Sequence, residues 1–306
     1  MFRHLLVPLD GSRLAETALP AAVALAAREG VAVSLLHVVE EEAPKRVHGE
    51  RHVANEAEAA AYLEELRQGL AQASVTADVR VEVSRGDVAA RIGREAAALG
   101  ADLIVLCTHG GRGVRGLLFG RVAQQVLARG STPVFLLPPS NQGRDAHFIC
   151  RRVLVPLDGT PPSEAVLPTA ADLARAFTAA LVLESVIPTV ATIRGVRGAT
   201  ARLLPNMGAA VLDEEAGDAA GYLRGVIARL AAEGVPAEGV VERGEPVRVL
   251  ADAAQRHGAD VFALATHARA GVSALWEGSI AARLLEGSRR PMLLVRISRP
   301  GAGPDA

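Results

Sequence analysis

Apolar residues in this chain follow two alternating patterns. Short continuous runs, such as His4-Leu5-Leu6-Val7-Pro8-Leu9 and Leu103-Ile104-Val105-Leu106-Cys107, are bounded by polar or glycine-containing turns. Between them, apolar residues recur every three or four positions. The first pattern is that of a strand buried on both faces, the second that of an amphipathic helix. In the first half the pattern predicts strands over 4–9, 31–39, 75–83, 103–107 and 133–137. Ser12 is placed to cap a helix through Leu14, Ala18, Ala22 and Leu25 that Gly30 closes. Tyr62, Leu63, Leu66 and Leu70 mark a second helix, Val88, Ile92 and Leu99 a third, and Leu118, Val122 and Val126 a fourth. Strands alternating with helices in this way imply a parallel sheet covered on both faces.

The pattern then repeats. Residues 4–20 (HLLVPLDGSRLAETALP) align with 152–168 (RVLVPLDGTPPSEAVLP), and residues 100–137 align with 258–295 through a shared Gly-Ala-Asp and Thr-His. The chain is a tandem duplication. The two alignments are offset by 148 and 158 positions, so the second copy holds about ten extra residues between its blocks. These are expected in a loop over 188–208, where Gly195, Gly198, Pro205 and Gly208 cluster. Strands of the second copy are expected at 153–157, 180–187, 239–243, 260–266 and 291–297. The expected domains are 1–139 and 151–298, with a linker at 140–150 and a tail at 299–306.

Composition narrows the function. The 306 residues carry 33 basic and 34 acidic side chains and only 3% aromatics, which argues against a nucleic-acid partner. Two cysteines, Cys107 and Cys150, make no disulfide framework. No apolar run reaches the ~18 residues that span a bilayer. Met1 leads straight into Phe2-Arg3-His4 with no export signal, so the expectation is a cytoplasmic protein without membrane partners.

Open parallel sheets bind ligands beyond the carboxyl ends of their strands. After the first strand comes Asp10-Gly11-Ser12, repeated as Asp158-Gly159-Thr160. Such a carboxylate either meets a ribose hydroxyl or Mg²⁺, or caps the next helix; recurrence does not separate the two. After the fourth strand comes Thr108-His109-Gly110-Gly111-Arg112-Gly113-Val114-Arg115-Gly116, running on to Gly120-Arg121. A glycine-rich loop at a helix start offers backbone N–H groups to an anion, and Arg112, Arg115 and Arg121 add guanidinium groups suited to phosphate; the alternative is a solvent-facing turn. Residues 110–121 carry a charge of +3 (three Arg), whereas residues 268–279 carry none (Arg269 against Glu277). An anion should therefore prefer the first copy.

On these residues the chain resembles the universal stress protein family, in its two-domain form. The resemblance rests on VPLDGS and VPLDGT, on LHVV after the second strand and on the TH…G…G loop, and it covers nearly all of both copies. It implies an α/β fold of two tandem, five-stranded, Rossmann-like parallel sheets of the adenine nucleotide alpha hydrolase kind, related by a pseudo-two-fold axis. It also implies a cytoplasmic stress-response role and binding of ATP, or of AMP or ADP, with Mg²⁺ bridging the phosphates. By the same resemblance Pro8, Leu9 and Asp10 line an adenosine pocket and Val38 gives the adenine its backbone contact, while Gly110, Gly113 and Gly120 approach the phosphates. The counterparts in the second copy are Pro156, Leu157, Asp158, Val186, Gly278 and Ser279.

Both copies depart from the family's pattern of Gly, two residues, Gly, nine residues, Gly and Ser or Thr. The first reads Cys107, Gly110, Gly120 and Arg121; the second reads Ala265, Ala268, Gly278 and Ser279. Arg121 either clamps a phosphate or fills its space, and Ser279 is also a plausible helix cap. Family members with one domain pair into dimers. An intramolecular pseudo-dimer through the last strands near 133–137 and 291–297 is therefore implied, with a homodimer of chains left open.

Other candidates are weaker. His109 and His267 lack a nucleophile partner, His48 and His52 share spacing for one helix face but no further metal ligands, and Glu40-Glu41-Glu42 reads as a solvated loop. A phosphoacceptor domain would need an aspartate at the end of the third strand, where Val83-Ser84-Arg85 stands, and a flavin carrier would need a longer hydroxyl-rich first loop. With Lys45 the sole lysine, no Walker-type lysine is present, so any ATP hydrolysis should be slow. The rival expectation is a nucleotide-free interaction module.

Overall fold

The computed structural model of the chain describes residues 1–27, 30–40, 46–47, 50–51, 53, 55–84, 86–108, 120–140, 143–193, 203–267 and 279–297. In chain order the first copy forms β1 (His4–Pro8), a 3-10 turn (Ala15–Ala18), α1 (Leu19–Ala26), β2 (Ala32–Glu40), β3 (Arg46–Val47), β4 (Glu50–Arg51), α2 (Glu56–Gln72), β5 (Ala77–Ser84), α3 (Val88–Leu99), β6 (Leu103–Cys107), α4 (Arg121–Arg129) and β7 (Val134–Leu137). The second forms β8 (Arg152–Pro156), α5 (Pro161–Glu164), α6 (Leu167–Phe177), β9 (Ala180–Ile187), α7 (Pro205–Ala232), β10 (Ala237–Arg243), α8 (Pro246–Arg256), β11 (Val261–Thr266), α9 (Ile280–Gly287) and β12 (Met292–Arg296).

Two compact units result. One comprises Met1–Ile149, Thr266–Glu277 and Arg289–Ala306, the other Cys150–Ala265 and Gly278–Ser288. In the first, the strand order is β12-β7-β6-β1-β2-β5; all pairs are parallel except β12 with β7, where Met292 stands opposite Leu136. In the second, the order is β10-β9-β8-β11 and every pair is parallel. The central strands are buried on both faces: Leu5, Leu6, Val7, Val153, Leu154 and Val155 are all 0% exposed. Each such side chain contributes on the order of 1.5–3 kcal/mol by leaving water. Cys107 and Cys150 are both free and buried, and burial pushes each thiol up to about 12. No helix among the described residues is long and apolar enough to cross a membrane.

The repeated Gly-Ala-Asp has a mechanical meaning. Gly100 and Gly258 take φ of +61° and +57°, the left-handed conformation that ends a helix at little cost. Two residues on, Asp102 accepts the N–H groups of Arg3 (2.8 Å) and His4 (3.3 Å), and Asp260 accepts those of Arg151 (2.6 Å) and Arg152 (3.2 Å). Each carboxylate thus clamps the start of its copy's first strand to the start of its fourth.

Two expectations are corrected. The helix after β1 is broken in both copies, into the 3-10 turn and α1 and into α5 and α6. Pro20 and Pro168, each in the first turn of its second piece, carry no N–H with which to continue the ladder. The extra residues of the second copy do not all form a loop. Helix α7 runs 28 residues where α2 has 17, and Pro205 sits in its first turn, where a missing N–H is tolerated; residues 194–202 lie outside those described. His48 and His52 lie outside the described residues; β3 and β4 pair antiparallel.

The 3-10 turn buries an acid. Glu16 is 9% exposed and accepts a hydrogen bond from the Tyr62 hydroxyl at 3.3 Å, with Arg144 Nε 3.9 Å from its other oxygen. Arg144 also reaches Glu65 at 3.3 Å, so the seam between the copies is anchored to α2 and to the turn. Burial raises the Glu16 carboxyl above its ordinary range, and Arg144 only partly offsets this. The folded state therefore holds this proton more tightly than the unfolded chain. The associated stability is complete below the ordinary carboxylate range and is lost as pH rises through the raised value. Urea titrations from pH 4 to pH 7 should show Glu16→Gln gaining stability relative to the unsubstituted protein as pH rises. Gly11 and Gly159 separate two costs. Both have positive φ (+88° and +80°), but a Cβ at Gly11 would lie 2.6 Å from Val53 Cγ2, whereas at Gly159 it would meet nothing within 4 Å. Alanine should cost ~1–2 kcal/mol at either site from backbone strain, with a further ~1–3 kcal/mol at Gly11 from overpacking, measurable by chemical denaturation.

Candidate functional site

The carboxyl ends of β6, β1 and β2 form the switch point of the first unit. The chain leaves β1 toward β2 and β5 on one side, then returns to β6 and β7 on the other, so the connections diverge at β1 and β6. Register decides what meets there. Pro8 stands opposite Leu36 and Leu6 opposite Ile104. Continuing both ladders puts Asp10, Val38 and Thr108 on one level at the edge of three adjacent strands. Leu9 is fixed just below, its N–H donating to Leu36 O (2.8 Å) and its carbonyl lying 2.8 Å from His37 Nδ1.

Asp10 shapes the turn that follows. Its Oδ1 accepts the backbone N–H of Ser12 (2.9 Å) and the Ser12 hydroxyl (2.7 Å), and Ser12 Oγ in turn accepts the N–H of Ala15 (3.2 Å). The second copy repeats this, with Asp158 Oδ1 accepting the N–H (3.0 Å) and hydroxyl (2.6 Å) of Thr160. Burial works to raise the Asp158 carboxyl, but the hydrogen bonds from Thr160 and Ser163 prevail and hold it below its ordinary range. Both copies thus fold their turn around an aspartate carboxylate, but the capping role read from the sequence is seen only at Ser12, since Thr160, the N-cap of α5, makes no side-chain cap bond. Pro8 and Leu9 are buried, Val38 is 8% exposed, and in the second copy Pro156 and Val186 are half-buried around a buried Leu157. Thr108 is committed to the scaffold, since its N–H (2.7 Å) and its hydroxyl (3.1 Å) both donate to Leu137 O.

The phosphate-loop candidates divide. Gly110, Arg112, Gly113 and Arg115 lie outside the described residues, as do His109 and Gly278, and so does the side chain of Arg121. Gly120 and Ser279 are described, and they open their helices differently. Gly120 is the N-cap of α4 and offers no side-chain cap. Ser279 is the N-cap of α9, and its Oγ accepts the N–H of Ala282 at 3.1 Å. Ser279 thus caps its own helix in the second copy, while Gly120, lacking a side chain, makes no such bond to α4. His267 is exposed. Sequence reasoning missed Glu16, Tyr62 and Arg144, the polar cluster in the turn behind Asp10. No local pattern marks these residues, because each comes from a different segment.

The comparisons with known proteins agree with this architecture. The family model described as the universal stress protein family matches twice, over residues 1–138 and 150–296. A universal stress protein from Archaeoglobus fulgidus DSM 4304 superposes over 97% of this chain and 97% of its own, at 16% identity and a TM-score of 0.64. A functionally unknown protein from Pseudomonas aeruginosa PAO1 does so over 96% of this chain and 92% of its own, at 19% identity and a TM-score of 0.66. A universal stress protein in complex with cAMP matches 49% of this chain and 100% of its own, at 20% identity and a TM-score of 0.36. Among curated proteins, none matches the sequence. Two family matches, on two copies of one α/β scaffold, leave one conclusion: the chain belongs to the universal stress protein family and carries that domain twice.

Proposed function

We propose that this universal stress protein binds an adenine nucleotide, ATP or its AMP or ADP relatives, mainly in its first copy. Pro8, Leu9, Asp10 and Val38 hold the adenosine. Gly110, Gly113 and Gly120, with Arg112, Arg115 and Arg121, take the phosphates, and Mg²⁺ bridges them. The nucleotide supplies the negative charge, and the chain supplies backbone amides and guanidinium groups.

One observation carries this reading: α4 opens on Gly120 without a side-chain cap, whereas α9 opens on Ser279 with its amide already bonded. A helix start of the first kind favours an anion, and the +3 charge of residues 110–121 adds to it where residues 268–279 offer zero. The level placement of Asp10 and Val38 beside the switch point supports the adenosine half. These residues favour binding over chemistry. Asp10 Oδ1 is held by Ser12, and Lys45, the sole lysine, lies far along the chain, so hydrolysis should be slow at most. We place the two domains at 1–139 and 151–298.

Thermal melts and calorimetry with ATP–Mg²⁺ test the reading. At ~100 times Kd, a ligand bound by the folded state alone adds about 2.7 kcal/mol of stability. Gly110→Val should abolish the shift and Gly278→Val should leave it, with circular dichroism confirming that both variants fold. Arg121→Ser weakens binding if the guanidinium grips phosphate and strengthens it if the side chain fills the pocket. No shift at millimolar ATP would overturn the proposal in favour of a nucleotide-free interaction module, and the reverse pattern of the two glycine variants would move the site to the second copy.

A further inference from the structure

The second unit contains a carboxylate where a core side chain belongs. Glu184 lies in the middle of β9, 0% exposed, with neither carboxylate oxygen hydrogen-bonded. The residue 148 positions earlier is Leu36, likewise 0% exposed and opposite Pro8 as Glu184 is opposite Pro156. Exchanging a buried leucine for an uncompensated carboxylate costs several kcal/mol. A bound proton or a nearby cation offsets that cost.

The neighbours of Glu184 indicate which. Glu242 of β10, next to Val186 of β9, and His257 at the end of α8 bring ligand atoms within 4.8 Å of one another and of Glu184. Glu242 has an equivalent in the first copy, since Glu82 stands opposite Val38 as Glu242 stands opposite Val186. His257 is new: by the 158 offset its counterpart is Leu99. Where the first copy has Leu36 and Leu99 the second has Glu184 and His257, and both of these lie beside Glu242.

We propose that Glu184, Glu242 and His257 form a binding site for a divalent transition-metal ion of the zinc type in the second unit. Two carboxylates and an imidazole are a zinc donor set that leaves a fourth position open. Tetrahedral zinc holds its ligand atoms ~3.4 Å apart, so a closure of at most ~1.4 Å from the 4.8 Å limit completes the site. The remaining groups are compatible. Arg256 pairs with Glu242, which keeps lone pairs for a metal, and Glu238 Oε1 lies 3.7 Å from His257 Nδ1, within reach to orient the ring. The half-exposed Glu242 and His257 give an ion a path in from solvent. Magnesium, which prefers six oxygens and keeps its water, fits this set poorly.

The test uses the full chain, stripped with EDTA and free of nucleotide, so its outcome does not depend on the ATP reading. Calorimetric titration with zinc chloride should show one equivalent bound, and magnesium chloride none. E184L and H257L, which install the first copy's own residues, should each weaken zinc binding by more than ~100-fold, beyond the ~10–100-fold expected from an outer partner. Circular dichroism establishes folding, and H257L alone suffices should E184L not fold. Absence of zinc uptake, or uptake unchanged in a folded variant, would overturn the proposal.

Discussion

Parallel main-chain pairing of β1 with β2 on one side and β6 on the other is the constraint on which everything else rests. A parallel ladder has no hairpin to set its register, so the register depends on burial of both faces and on end clamps. Here Leu5, Leu6 and Val7 supply the burial, and Asp102 supplies the clamp by accepting the N–H groups of Arg3 and His4. A slip of one residue would turn each of these side chains to the other face and would also separate Asp10 from Val38 and Thr108. The same ladder therefore stabilises the first unit and builds the edge at which its candidate site lies.

Duplication tests which parts of this design are necessary. Both copies retain the glycine-ended helix, the aspartate clamp, the Asx-type turn after the first strand and the proline that interrupts the helix following it. These features make the scaffold. They diverge where no scaffold is needed, at the helix starts represented by Gly120 and Ser279 and in the layer that holds Leu36 in one copy and Glu184 in the other. The proposed nucleotide site and the proposed metal site fall at these two places of divergence.

Much of this was legible from local pattern. The strands of the main sheet fell within a residue or two of expectation, while β3 and β4 were not anticipated, and β6 ended where its apolar run ends, because a strand buried on both faces is predominantly apolar. The extra turns of α7 were misread as a loop because glycine and proline near 195–208 outweighed the helix-forming residues that follow, while proline in a first turn breaks nothing. Glu184 was visible as a lone acid inside Leu181-Val182-Leu183 and Val186-Ile187, but one acid in a strand does not reveal its neighbours.

By itself the sequence determined the duplication, the α/β class, the family and the residues that cap, clamp and turn, since these depend on periodicity and on interactions between near neighbours. Only the tertiary structure decided that Asp10, Val38 and Thr108 share a level, that Arg144 closes over Glu16, and that Glu184, Glu242 and His257 converge. Those groupings join residues far apart along the chain, and strand register and helix docking set their distances. No local pattern of residues encodes either one.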